Sequence, residues 1–103
     1  MNIVILITAK NDAEAKKIAE ALVKKKLIAC ANIIKGIKSF FWWEGKVDKA
    51  NEVLLVLKTK RILFKKIEKT VKTLHSYSVP EIIALPIVEG SKDYLKWVND
   101  VTG

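Results

Sequence analysis

The run Asn2-Ile3-Val4-Ile5-Leu6-Ile7-Thr8 is apolar at every central position and mostly β-branched, the pattern of a strand buried on both faces. Asn11 followed by Glu14 has the spacing of a capping box. Ala15, Ile18, Ala19 and Leu22 then recur at helical intervals until Lys24-Lys25-Lys26, whose charges suit a helix C-terminus, which predicts a helix over about residues 12–26. Residues 27–43 are rich in β-branched and aromatic side chains and read as one long strand, bent by a bulge near Lys35-Gly36. Glu44-Gly45-Lys46 supplies a turn, and Glu52 to Thr59 returns as the third strand of an antiparallel hairpin. Leu63, Phe64, Ile67, Val71 and Leu74 repeat at three- and four-residue spacing with lysines between them, predicting a second helix over about 61–74. Val79 to Val88 is a fourth strand, held to a sheet edge by Pro80 and Pro86. Ser91 starts a short third helix, with Asp93 in its first turn and Tyr94, Leu95, Trp97, Val98 and Val101 available for burial.

The order β-α-β-β-α-β is the ferredoxin-like split βαβ pattern of the α+β class, a four-stranded antiparallel sheet with both main helices on one face. Strand one is apolar at Ile3, Ile5 and Ile7 and also at Val4 and Leu6. Strand three repeats this at Val53, Leu55, Leu57 and at Leu54, Val56, so the second face of the sheet also needs cover. The third helix is too short to provide all of it, and another copy of the chain is the economical cover. Phe40-Phe41-Trp42-Trp43 must point aromatic rings to both faces of a strand, so some of them are expected to meet a neighbouring subunit.

With 103 residues, 50% hydrophobic and 29% charged, and only 4 Gly and 2 Pro, the chain suits one folded domain rather than a linker or a disordered tail. The single Cys30 cannot close an internal disulfide. The apolar stretch Ile3 to Ile7 is too short to span a bilayer and lacks a basic residue before it, so a cytoplasmic, reducing home and no membrane insertion are expected. Nineteen Lys and Arg against eleven Asp and Glu give a net charge of +8. The lysines are spread over helix faces, so nucleic acid is expected to bind weakly, without sequence specificity and with strong salt dependence.

Cys30, Asn32 and His75 first invite a functional reading, and each has a structural alternative: a small buried hydrophobe, a hydrogen-bonded strand residue and a helix C-cap. One Cys and one His cannot complete a zinc or iron-sulfur site within the chain. No Gly-rich phosphate loop is present, and local spacing recommends no nucleophile-base-acid set, so no enzyme activity is expected. The sole Arg61 argues against phosphatases that grip phosphate with arginine. Lys35-Gly36-Ile37-Lys38-Ser39-Phe40-Phe41-Trp42 has the basic-Gly start and aromatic end of an RNA-recognition strand. It lacks the stacking aromatics at its third and fifth places and lies on strand two rather than three.

Several blocks taken together are more specific: Ala29-Cys30-Ala31-Asn32-Ile33, Gly36, Phe41-Trp42-Trp43-Glu44-Gly45-Lys46, Leu57-Lys58-Thr59, His75-Ser76-Tyr77, Val79-Pro80-Glu81-Ile82-Ile83 and Tyr94-Leu95-Lys96-Trp97. In this order and spacing the chain resembles the divalent-cation tolerance (CutA) family over nearly its whole length. The resemblance implies a ferredoxin-like homotrimer, cytoplasmic in prokaryotes and linked to tolerance of copper and other divalent cations, with no cofactor required. It also implies a ligand-binding cleft between subunits at Cys30, Asn32, Lys58, Tyr77 and Glu81 with Trp43 as a wall, and Cu(II) or another divalent cation held by His75 and Glu81. Lys58 would be an anion contact there, which makes a small-molecule or anion sensor, or a cleft enzyme, the alternative. Some bacterial relatives carry a Cys and a second His where this chain has Ile7 and Leu74.

Overall fold

β1 (Asn2–Ala9) has a neighbour on each side, β3 (Lys46–Lys60) and β4 (Ile82–Pro86), and this central place is why its sequence is apolar on both faces. The computed structural model describes all 103 residues. β2 (Cys30–Trp43) completes a four-stranded sheet in the order β2-β3-β1-β4, every neighbouring pair antiparallel. This is the expected α+β split βαβ arrangement. Ile3, Ile5, Ile7, Val53, Leu55 and Leu57 turn to one face and are buried under α1 (Asp12–Lys24) and α2 (Phe64–Leu74). The helices supply Ala15, Ile18, Leu22, Ile67 and Val71, all fully buried. Burial of each large aliphatic side chain contributes roughly 1.5–3 kcal/mol relative to exposure.

Several boundaries differ from the sequence expectation, each for a local reason. α1 ends at Lys24, two residues early, in a Schellman motif. Lys26 takes the left-handed conformation (φ 57°), its N–H bonds to Val23 O at 3.0 Å, and Leu27 N–H bonds to Leu22 O at 3.0 Å. Glycine usually holds that position, so a lysine there hides the helix end. Leu27–Ala29 then form a connection rather than the start of the strand, fixed by Thr59 Oγ1 donating to Leu27 O at 2.6 Å. β3 begins at Lys46, not Glu52, because Glu44 and Gly45 (φ 50° and 77°) close a two-residue turn and Trp43 pairs directly with Lys46. β4 is confined to residues 82–86, starting after Pro80 and ending on Pro86. A 3-10 turn at Arg61–Leu63 precedes α2.

The expected bulge is present: register shifts between Ile34 and Ile37, where Gly36 has φ +80°. The β2-β3 ribbon runs on past the helices, giving extents of 44 × 26 × 22 Å. α3 (Lys92–Val101), capped by Ser91 Oγ accepting from Tyr94 N–H at 3.3 Å, packs on the face opposite α1 and α2, at the end where Lys58 and Lys60 lie. Lys60 Nζ donates to Asn99 O and Thr102 O at 3.3 and 2.9 Å, and Val98 is fully buried beneath the helix. The remainder of this face is uncovered.

Candidate functional site

Strand alternation arranges the second face in rows running across the sheet. Cys30, Lys58, Val4 and Leu85 form one row, Asn32, Val56, Leu6 and Ile83 the next, and Ile34, Leu54 and Thr8 the third. The middle of the face is aliphatic, with Ile34, Ile83 and Leu85 about half exposed. Polar side chains sit in two clusters at its ends.

In the first cluster Lys58 Nζ donates to Asn32 Oδ1, so these two expected site residues do meet. Cys30, a half-buried free thiol, lies with its Sγ 3.5 Å from the Tyr94 hydroxyl. The bonded thiol, together with partial burial, pushes the Tyr94 phenol above its ordinary value. Tyr94 stacks at a tilt on Trp97, ring centres 5.5 Å apart, which ties α3 to the start of β2. Lys58 has no carboxylate partner; its one side-chain bond is to a neutral amide.

The second cluster is built around His75, the C-cap of α2, whose side chain is 0% exposed. Its Nε2 lies 2.8 Å from Thr8 O, an acceptor, and its Nδ1 accepts the Tyr77 N–H at 3.1 Å. These partners define the neutral tautomer with the proton on Nε2 and leave no ring lone pair free. The imidazole expected as a metal ligand is, in this arrangement, buried and hydrogen-bonded on both nitrogens. The C-cap alternative is the one the geometry supports. Glu14 Oε1 sits 3.7 Å from Nδ1, while Glu14 Oε2 accepts Ser76 N–H at 3.0 Å. The capping box is modified accordingly, with Asn11 Oδ1 accepting Glu14 N–H at 2.8 Å and Glu14 reaching back to Lys10 N–H rather than to the cap residue. Burial alone would raise the Glu14 carboxyl, but hydrogen bonds from Ser76 and Lys10 outweigh it and hold it below the usual value.

Tyr77 leans on the His75 ring, centroids 4.8 Å apart, and its hydroxyl donates to Glu52 Oε2 at 2.9 Å. Burial, then the bond to Glu52, pushes the phenol up to about 12. Glu52, Glu14 and Tyr94 were not singled out as site residues by sequence reasoning. For Glu52 a signal existed: it shares the alternation of Leu54, Val56 and Lys58, and a carboxylate in that row needs a buried partner.

The two clusters are not one pocket. Glu52 and Lys58 are six strand residues apart, roughly 20 Å. Trp43 lies at the hairpin tip, thirteen residues beyond Cys30 and roughly 43 Å away along β2. Glu81 is exposed just before β4 and shares no hydrogen bond or ion pair with His75. A cleft containing all the expected residues therefore needs more than one copy of the chain. The chain has no group of three His, Cys, Asp or Glu placed to hold a metal ion, and no helix long and apolar enough to cross a membrane.

Residues 3–101 match the family model described as CutA1 divalent ion tolerance protein. The chain is 47% identical over 103 residues to the divalent-cation tolerance protein CutA of Thermus thermophilus, covering 100% of both chains. It is 45% identical over 101 residues to the chloroplastic protein CutA of Arabidopsis thaliana and spans 56% of that longer protein. The solved structure of the Thermus thermophilus protein superposes with a TM-score of 0.98 over 100% of both chains. A structure described as the periplasmic divalent cation tolerance protein CutA of Archaeoglobus fulgidus superposes at 0.95, with 46% identity and 98% of each chain covered.

Proposed function

The chain belongs to the CutA1 divalent ion tolerance family, and on that footing we propose that it acts as a homotrimer in a reducing, cytoplasmic setting, binding copper or other divalent cations weakly as part of a metal response. The observation that carries this reading is the half-covered second face of the sheet. Leu6, Leu54, Val56, Ile34, Ile83 and Leu85 make a continuous aliphatic surface that α3 leaves open, and a second copy is the cover of matching chemistry. The sheet also ends in two unpaired edges, β2 and β4, which suit head-to-tail closure into a ring.

Assembly also accounts for the weak metal binding in this proposal. One copy offers the exposed Glu81 carboxylate and the half-buried Cys30 thiol, whose side-chain partner is the Tyr94 hydroxyl, as donors, and juxtaposed copies bring such donors together. The role is binding rather than catalysis. Calorimetric titration of the assembled protein with copper and zinc is expected to give weak, saturable heats that fall in Glu81→Gln or Cys30→Ser. Titrations unchanged in both variants would remove these donors from the reading.

A second reading rests on Lys58. An ammonium whose side-chain partner is only the Asn32 amide suits a ligand bearing negative charge, and the cleft then serves an anion or small metabolite, with Tyr77 and Glu81 as further contacts. Binding of small anions that is lost in Lys58→Ala, without copper or zinc binding by the parent, would favour it.

A further inference from the structure

Five element ends meet where β1 begins: β3, β4 and α1 finish there and α2 starts. The backbone ties them together. Arg61 N–H donates to Met1 O at 2.9 Å, Ile87 N–H donates to Asn2 O at 3.0 Å, and Thr59 Oγ1 donates to Leu27 O just past α1. The side chains gathered at this end are of two kinds. Lys24, Lys25, Lys26 and Arg61 are exposed and take part in no ion pair. Beside them Ile62 is 80% and Met1 75% exposed, and both line a groove of about 780 Å³ together with Arg61, Phe64 and Lys65. Neither belongs to the core cluster. Among the carboxylates nearest in sequence, Glu68 is engaged by Lys65 and Lys72, which leaves Glu20 and Glu89 against Lys24, Lys25, Lys26, Arg61 and Lys66.

We infer that this end of the molecule is a peripheral docking surface for an anionic phospholipid bilayer, with Ile62 and Met1 entering the headgroup layer and the surrounding cations resting against its phosphates. Exposed aliphatic side chains ringed by Lys and Arg match the boundary between acyl chains and headgroups, where apolar burial and attraction to anionic lipid add. A nucleic-acid backbone would engage the cations and leave the aliphatic side chains in water. No exposed aromatic ring stands among these side chains to stack a base, since Phe64 is half-buried against the core. A second copy of the chain is a poor cover for the same surface. It carries the same net charge of +8, and closing the two together would seal ammonium groups away from counter-ions. The ring proposed above uses the second face of the sheet and the β2 and β4 edges. Ala84 to Pro86, one wall of the groove, belong to that β4 edge, whereas Met1, Ile62 and the lysines of α1 do not.

The test is co-sedimentation of the protein, in whatever assembly it forms in solution, with vesicles of equal parts phosphatidylserine and phosphatidylcholine at low salt. Vesicles of phosphatidylcholine alone are the control, and light scattering is measured on every variant. Binding to the anionic vesicles is expected, falling as salt rises and absent on the control. The double variant Lys24→Ala, Lys25→Ala should weaken it about 25-fold, at about five-fold per cation. Ile62→Ser should weaken it about ten-fold and Ile62→Leu should keep it. These side chains are exposed and lie outside the core, so circular dichroism and scattering mass should match the parent. Absence of binding to the anionic vesicles would overturn the proposal, as would equal binding to the control or indifference to both the lysine and the Ile62→Ser variants. Binding to a DNA duplex with none to vesicles would overturn it in favour of a phosphate polyanion. A changed scattering mass in either variant would overturn it by making this end a contact between copies.

Discussion

At the scale of single residues, the molecule's one imidazole is a structural pin rather than an available ligand. His75 ties the end of β1 to the turn after α2 by donating to Thr8 O and accepting from Tyr77 N–H. His75→Ala leaves a buried carbonyl and amide without partners, a loss of about 1–3 kcal/mol in unfolding free energy, while copper affinity at neutral pH should stay at the parental value. Denaturant unfolding and calorimetry on the same variant check the two halves. Reduced copper affinity in a variant of unchanged stability would put the ring back among the ligands. Tyr77 provides a pH signature beside it. Its folded phenol holds its proton up to about 12, against the ordinary value of 10.0, so its contribution to stability is complete below pH 10 and is lost as pH rises toward 12. Tyr77→Phe should lessen that alkaline loss, read as a smaller decline in melting temperature between pH 9 and pH 12. Glu14 works in the opposite sense: its lowered carboxyl contributes above the ordinary 4.5 and loses that contribution as pH falls below it.

At the scale of elements, the β2-β3 hairpin explains both what could be read from the sequence and what could not. Element order, the covered face and the Gly36 bulge followed from periodicity, because side chains facing a core impose a period of two or 3.6 residues. The outer half of the hairpin has no core beneath it, so Lys46 to Asn51 alternate irregularly and the periodicity of β3 becomes visible only at Glu52, six residues after the strand begins. The site was legible only in part for a related reason. Asn32 with Lys58 and His75 with Tyr77 are brought together by pairing and turn geometry, whereas the partners Glu52 and Glu14 come from elements distant in sequence. What fixes the outer ribbon is its turn. Gly45 has φ 77° with open space where a Cβ would lie, so Gly45→Ala meets conformational strain and no clash. A loss of about 1 kcal/mol is expected from thermal unfolding, with assembly unchanged.

At the scale of the whole molecule, the two faces of the sheet divide its work. One face meets α1 and α2 in a closed aliphatic core, and a charge inserted there would unfold the chain. The other meets α3 at one end only, and its centre is Leu54, half buried between Ile34 of β2 and Thr8 of β1 and outside the main core cluster. A charge at that position costs a single copy little, because the side chain already borders solvent. It would cost an assembled interface several kcal/mol, since an ammonium would be sealed against aliphatic side chains without a counter-ion. Leu54→Lys is therefore expected to keep the circular dichroism of the parent while light scattering falls from three times 11.6 kDa to 11.6 kDa. The same variant should lose any ligand or cation site shared between copies and retain the Tyr77–Glu52 and His75–Thr8 contacts, which lie within one chain. Thus, if Leu54→Lys dissociates but still binds copper as the parent does, the donors belong to a single copy. If the parent itself scatters as a monomer, this face is not the assembly surface proposed here.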